Sequence, residues 1–119
     1  MSDISDVFLS KARESLEGAT SELVNGRYNN AANRAYYACF QAAIAALDLA
    51  GIQPGGERGT WSHSFVQGQF VGELINRRKR YPTELRDALT HTQAVREQAD
   101  YRTTGVSYTQ ATRAVSRAR

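Results

Sequence analysis

Along the first 25 residues, apolar side chains return with helical spacing. Phe8, Ala12, Leu16, Ala19 and Leu23 form one stripe, while Lys11, Glu14, Glu17 and Glu22 fall off it. This predicts a helix from about Ser5 to Asn25, closed by Gly26, which suits the left-handed position beyond a helix end. Tyr28-Asn29-Asn30 then reads as a short turn, with either asparagine able to cap the next helix. That second helix, from Asn30 to Ala50, differs in kind. Nearly every residue in it is apolar or small. Its polar exceptions Arg34, Gln41 and Asp48 recur every seven residues in one narrow stripe, with Asn33 beside it. A helix apolar almost all round must be enclosed by protein. In a short chain a helical bundle can do this, and a bundle paired with a second copy can do it better.

Gly51 closes the second helix, and the glycine-rich stretch from Ile52 to Thr60 reads as a loop. It lacks the Gly-Lys-Ser/Thr ending and the preceding strand of a phosphate-binding P-loop. Ser62 is a good N-cap for a third helix running to about Arg78, with Phe65, Val66, Phe70, Leu74 and Ile75 on its buried face. Tyr81-Pro82-Thr83 breaks the chain, and Pro82 suits the first position of a fourth helix. That helix turns Leu85, Ala88, Leu89, Thr92, Val95 and Ala99 inward and ends near Asp100-Tyr101. Ser107 and Gln110 have capping-box spacing for a short last helix. No segment reads as a strand. The expected fold is all-α: one domain over residues 1–119, an up-and-down bundle of four long helices plus a short C-terminal helix.

At 119 residues with 41% hydrophobic content, the chain can bury a single core. No apolar run reaches the roughly 18 residues needed to cross a bilayer. The N-terminus lacks the basic-then-apolar order of a signal peptide, so a cytoplasmic protein without membrane contact is expected. Cys39 is the only cysteine, which excludes an internal disulfide. Its apolar neighbours point to a buried, inert thiol. Charge is uneven: residues 1–60 carry 5 basic and 7 acidic side chains, and residues 61–119 carry 10 and 5. The basic half includes the run Arg77-Arg78-Lys79-Arg80. Such a run suits a phosphate-bearing partner, and equally a solvated helix C-terminus.

The two histidines, His63 and His91, and one cysteine give no zinc spacing, and no metal or cofactor is expected. What remains is a set of Arg, His, Asp and Tyr residues. Arg96 and Asp100 stand four apart and face the same way on the fourth helix. Arg34 on the second helix needs a carboxylate or a ligand if it is partly buried, and Asp100 is a candidate partner. His63 follows the Ser62 cap, where the helix dipole disfavours its protonated form. It reads either as a structural imidazole or as a functional base or ligand contact.

The helix reading Asn30-Asn-Ala-Ala-Asn-Arg-Ala-Tyr-Tyr-Ala-Cys-Phe-Gln, then Ser62-His63-Ser64, then Arg96-x-x-x-Asp100-Tyr101, resembles the HEPN domain, in particular its stand-alone bacterial and archaeal branch. The resemblance covers about Ser5 to Ala118 and implies a helical bundle that is commonly a homodimer. It also implies a role of the toxin–antitoxin or RNA-defence type. Many HEPN proteins are metal-independent endoribonucleases; others partner a minimal nucleotidyltransferase, which can modify a tyrosine with AMP. The family hallmark is an arginine followed, four to six residues on, by a histidine. Arg96 matches that arginine by position, but Asp100, Tyr101 and Arg102 follow it and no histidine does. Arg86 and His91 satisfy the bare spacing a few turns early, yet residues five apart on a helix diverge by about 140°. The resemblance therefore places candidate catalytic roles on Arg96, Asp100 and Tyr101, in a degenerate ribonuclease motif. RNA or nucleotide contacts fall to Arg34, His63, Arg102, Arg77, Arg78, Lys79 and Arg80. The alternative is a non-catalytic dimeric scaffold or partner subunit for a nucleotidyltransferase.

Overall fold

The computed structural model describes residues 3–54, 61–77, 86–101 and 106–118. Its helices are α1 (Asp3–Val24), α2 (Tyr28–Leu49), α3 (His63–Gln69), α4 (Arg86–Tyr101) and α5 (Tyr108–Ala118). The chain of α3 continues without a break as a π-helical stretch, Phe70–Arg77. No strand occurs among the described residues. The fold is all-α, with α2 at its centre, packed on α1, α3, α4 and α5. No helix is long and apolar enough to cross a membrane among the described residues.

Two glycines end the first two helices in the same way. Gly26 has φ of 77°, its N–H bonds Leu23 O at 3.2 Å, and the Arg27 N–H reaches Glu22 O at 2.8 Å. Gly51 has φ of 80°, with Gly51 N–H to Asp48 O at 3.0 Å and Ile52 N–H to Leu47 O at 2.9 Å. Both are Schellman closures, in which a left-handed residue lets two N–H groups satisfy the last carbonyls. A side chain at either position would be strained.

The expected turn at Tyr28-Asn29-Asn30 is corrected. These residues form the first turn of α2, whose N-cap is Arg27 without a side-chain cap bond. The Schellman closure already reverses the chain by Arg27, so no further turn is needed. The Asn29 side chain instead bonds across the fold. Its Oδ1 accepts the Val106 N–H at 2.8 Å, tying α2 to the entry of α5. The capping box at that entry forms as expected. Gln110 N–H bonds Ser107 Oγ, and Ser107 N–H bonds Gln110 Oε1, each at 3.1 Å. Ser62 caps α3 by accepting from Phe65 N–H at 3.2 Å.

The third helix differs from the regular α-helix expected to Arg78. From Phe70 its hydrogen bonding widens to the π pattern, which takes more residues per turn. Gly68 and Gly72, poor helix formers, flank the change. Of the expected buried face, Val66, Phe70, Leu74 and Ile75 are buried, and Phe65 is half-buried against them. On α4, Thr92 and Val95 are buried and Ala88 is half-buried. Leu85, the Pro82 break and the run Arg78-Lys79-Arg80 lie outside the described residues, as do the side chains of Leu89 and Ala99.

The polar stripe of α2 passes from solvent into the core. Arg34 is exposed, Gln41 half-buried and Asp48 buried. Gln41 meets the buried Ser15 hydroxyl of α1 at 2.7 Å, and Asp48 accepts from the Gln53 amide. The two polar side chains that α2 carries inward are thus both partnered, as desolvation requires.

Candidate functional site

Tyr36, Tyr37 and Phe40 share one side of α2, and α3 delivers His63 against them. The imidazole stacks on Phe40, with ring centres 4.6 Å apart and planes 17° apart. It also lies parallel to Tyr36 at 5.4 Å and 9°. Its Nδ1 is hydrogen-bonded to the Tyr36 hydroxyl. The Ser62 cap sets this position, because it fixes where α3 begins and His63 is the first helical residue.

From α4, Arg96 places its guanidinium 5.1 Å from the Tyr36 ring centre and 5.8 Å from that of Tyr37. Arg34 places its own 5.1 Å from Tyr37. Two cations from different helices therefore share one ring, each held by attraction to its π face. Arg34 is further fixed by donating from Nε to Asn33 Oδ1 at 3.0 Å. The suggested partner Asp100 lies near the end of α4, and its side chain is outside the described residues. Gln67 of α3 donates to Gln93 of α4, bracing the two helices that carry His63 and Arg96.

The electrostatics set the protonation states. Burial pushes the Tyr36 hydroxyl up to about 12, opposed by a Gln67 hydrogen bond and by the Arg96 charge. Tyr36 thus stays protonated at neutral pH. His63 is held below its ordinary value, first by burial and then by the Arg96 charge. The helix dipole invoked from sequence acts in the same direction. The imidazole is therefore mostly neutral at pH 7. The Tyr36 hydroxyl can donate to Nδ1 or accept from it, and Nε2 is left as a donor in the first case and an acceptor in the second. Nearby, burial pushes the Cys39 thiol up to about 11, partly offset by a Thr92 hydrogen bond, so the half-buried thiol is inert.

Arg34, His63 and Arg96 are thus brought together around a tyrosine pair. Tyr36 and Tyr37 carry the arrangement, though from the sequence neither is a candidate site residue. Asp100 and Tyr101 close α4, with side chains outside the described residues. The same holds for the side chain of Arg77, while Arg78, Lys79, Arg80 and Arg102 lie outside the described residues altogether. His91 turns away from the cluster toward α5, where Arg117 and Arg113 act on it. Among the described residues no group of three His, Cys, Asp or Glu could hold a metal ion.

Beyond Arg34 the surface is polar. A cleft of about 320 Å³ is lined by Glu22, Asn30, Asn33 and Arg34. It adjoins through Asn30 a cleft of about 350 Å³ lined by Gly26 to Asn30 and Val106.

The family model of the HEPN domain matches residues 5–119. The chain belongs to the HEPN domain family. No curated protein matches it. In this HEPN domain the Arg96 guanidinium has its imidazole neighbour supplied by another helix: His63 of α3 stands near it through Tyr36.

Proposed function

We propose that this HEPN protein is an RNA-associated module of the toxin–antitoxin or RNA-defence type, with a site that grips phosphate and turns over poorly. The carrying observation is the convergence of Arg34 and Arg96 on the Tyr37 ring. Guanidinium groups held by ring contacts keep donors for phosphate oxygens. His63 adds its Nε2 to the same group. The histidine of the family hallmark is absent from the stretch that follows Arg96. This supports binding over cleavage. Asp100, Tyr101, Arg102 and the Arg77–Arg80 run belong to the same proposal as flanking contacts.

The test is binding of a short single-stranded RNA across a salt series. Each phosphate contact contributes a slope of about 0.7 in log K against log salt. Arg96→Ala should lower both affinity and slope; a flat salt dependence would reject the reading. Cleavage leaving 2′,3′-cyclic phosphate ends, lost in Arg96→Ala and kept in Arg77→Ala, would replace it with a metal-independent endoribonuclease.

A second reading is a homodimeric partner subunit for a minimal nucleotidyltransferase. It is favoured by Ile4 and Val7 at the start of α1, 45% and 50% exposed. Sedimentation with and without the substitutions Ile4→Ser and Val7→Ser tests the dimer.

A further inference from the structure

The other face of α4 carries a second cluster of basic groups. Gln98 of α4 and Gln110 of α5 exchange side-chain hydrogen bonds at 3.2 Å in each direction. The capping bond from Ser107 N–H to Gln110 Oε1 holds that amide in place. α4 and α5 run antiparallel, so moving two turns back from Gln98 and two turns forward from Gln110 keeps residues opposed. Seven residues back is His91, and seven forward is Arg117. Arg113 lies one turn before Arg117 on the same side of α5. The charges that act on His91 come from these two residues, Arg117 before Arg113.

Three properties set the cluster apart. His91 Nε2 is buried and has no hydrogen-bond partner. Arg113 and Arg117 are exposed, and neither pairs with a carboxylate among the described residues. From residue 102 to 119 the chain holds four arginines and no acidic residue. Of the other charged groups on α4, Arg96 faces the tyrosine pair of α2 and Glu97 is exposed. Arg86 and Asp87 precede His91 by about one turn, with side chains outside the described residues. Two exposed guanidiniums on the α5 face opposite an unpartnered imidazole nitrogen suit the charge and donor count of an oxyanion.

We propose that His91, Arg113 and Arg117 form a phosphate-binding site, in which one phosphate group accepts from both guanidiniums and from His91 Nε2. His91 and Arg96 lie five residues apart, about 140° around the helix, so this site is separate from the tyrosine cluster. Its ligand is a phosphate, either of an RNA backbone or free in solution. An RNA strand reaching it would contact α4 on two faces.

The test is NMR of the full chain labelled at histidine, titrated in parallel with inorganic phosphate and with a short oligouridylate. Saturable movement of the His91 ring signals is expected in the phosphate arm, and it should persist in Arg96→Ala, which disables the tyrosine cluster. Arg113→Gln with Arg117→Gln should weaken the response at least about tenfold, the cost of losing charge-assisted bonds. Both positions are exposed, and an unchanged circular dichroism spectrum confirms folding. Movement with RNA identifies backbone phosphate as the source; movement with inorganic phosphate alone identifies a free ligand. No movement of His91 in either arm, or an unaffected double variant, overturns the site. RNA binding that depends on Arg96 but leaves His91 silent would overturn this site alone and leave the tyrosine-cluster reading intact.

Discussion

Toward α3, the central helix presents Tyr36, Phe40, Ile44 and Leu47, which meet Val66, Phe70, Leu74 and Ile75. Toward its other neighbours it presents Ala31, Ala32 and Ala35, which meet Ala19, Val95, Val106, Ala111, Ala114 and Val115. Both clusters are buried, but they are built differently. On the first side, bulk fills the space, and rings and branched chains supply most of the apolar area removed from water. On the second, small side chains let the backbones of α1, α2, α4 and α5 approach closely, so stability comes from the fit between helices. The difference separates two roles. The bulky side contains the rings on which His63 and Arg96 rest. The alanine side gathers α5 onto the bundle and so places Arg113 and Arg117 beside His91.

Substitutions that invert the two chemistries would break this comparison. Leu74→Ala should have the largest effect, because Leu74 is fully buried among large neighbours. A loss of about 2–5 kcal/mol is expected in urea denaturation. A value below about 1 kcal/mol would mean that the bulky side collapses around cavities. Ala114→Leu comes next. Ala114 is fully buried among small residues, and overpacking there should cost about 1–3 kcal/mol, read as a lowered Tm. If leucine were tolerated, the alanine side would not be tightly fitted. Asn29→Ala should cost about 1 kcal/mol, since the Val106 amide loses its acceptor. Faster hydrogen exchange at Val106 would locate the loss on the alanine side.

The smallest effects are in pH. Tyr36 is raised from its ordinary 10.0 to about 12, and Cys39 from 9.0 to about 11. The folded chain keeps protons that the unfolded chain gives up, so stability should fall as pH rises from about 9 toward 12. Tyr36→Phe and Cys39→Ala should flatten that decline, marking the bulky side as the one alkali attacks. His63 and His91 have the opposite sign. Both are lowered, so the unfolded chain binds the proton first and stability falls as pH drops below about 6.5. Comparing His63→Gln with His91→Gln in an acid titration would divide that slope between the two sides.

The helices were legible because each carries its own local signals. The stripe from Phe8 to Leu23, the closing glycines Gly26 and Gly51, the Ser62 cap and the Ser107–Gln110 box act within a few residues of themselves. Spacing alone therefore located them. Where a local signal had two uses, spacing pointed to the near one: Asn29 reads as a cap and serves as a tie to Val106. The candidate site was legible only in part, for the same reason. Arg34, His63 and Arg96 were recognisable as unusual residues, but their meeting at Tyr36 and Tyr37 depends on how α3 and α4 dock against α2.

The chain by itself determined that it is helical, roughly where its helices start and stop, that α2 must be enclosed, and that it resembles a HEPN domain. Hydrophobic period, capping and turn chemistry are short-range, and they survive in any packing. Only the tertiary structure decided that the imidazole near Arg96 comes from α3, that His91 faces α5, and that the Arg34 guanidinium rests on a ring with Asn33 as its partner. Those choices follow from helix docking and from which charges desolvation leaves close together, and no spacing along one helix encodes them.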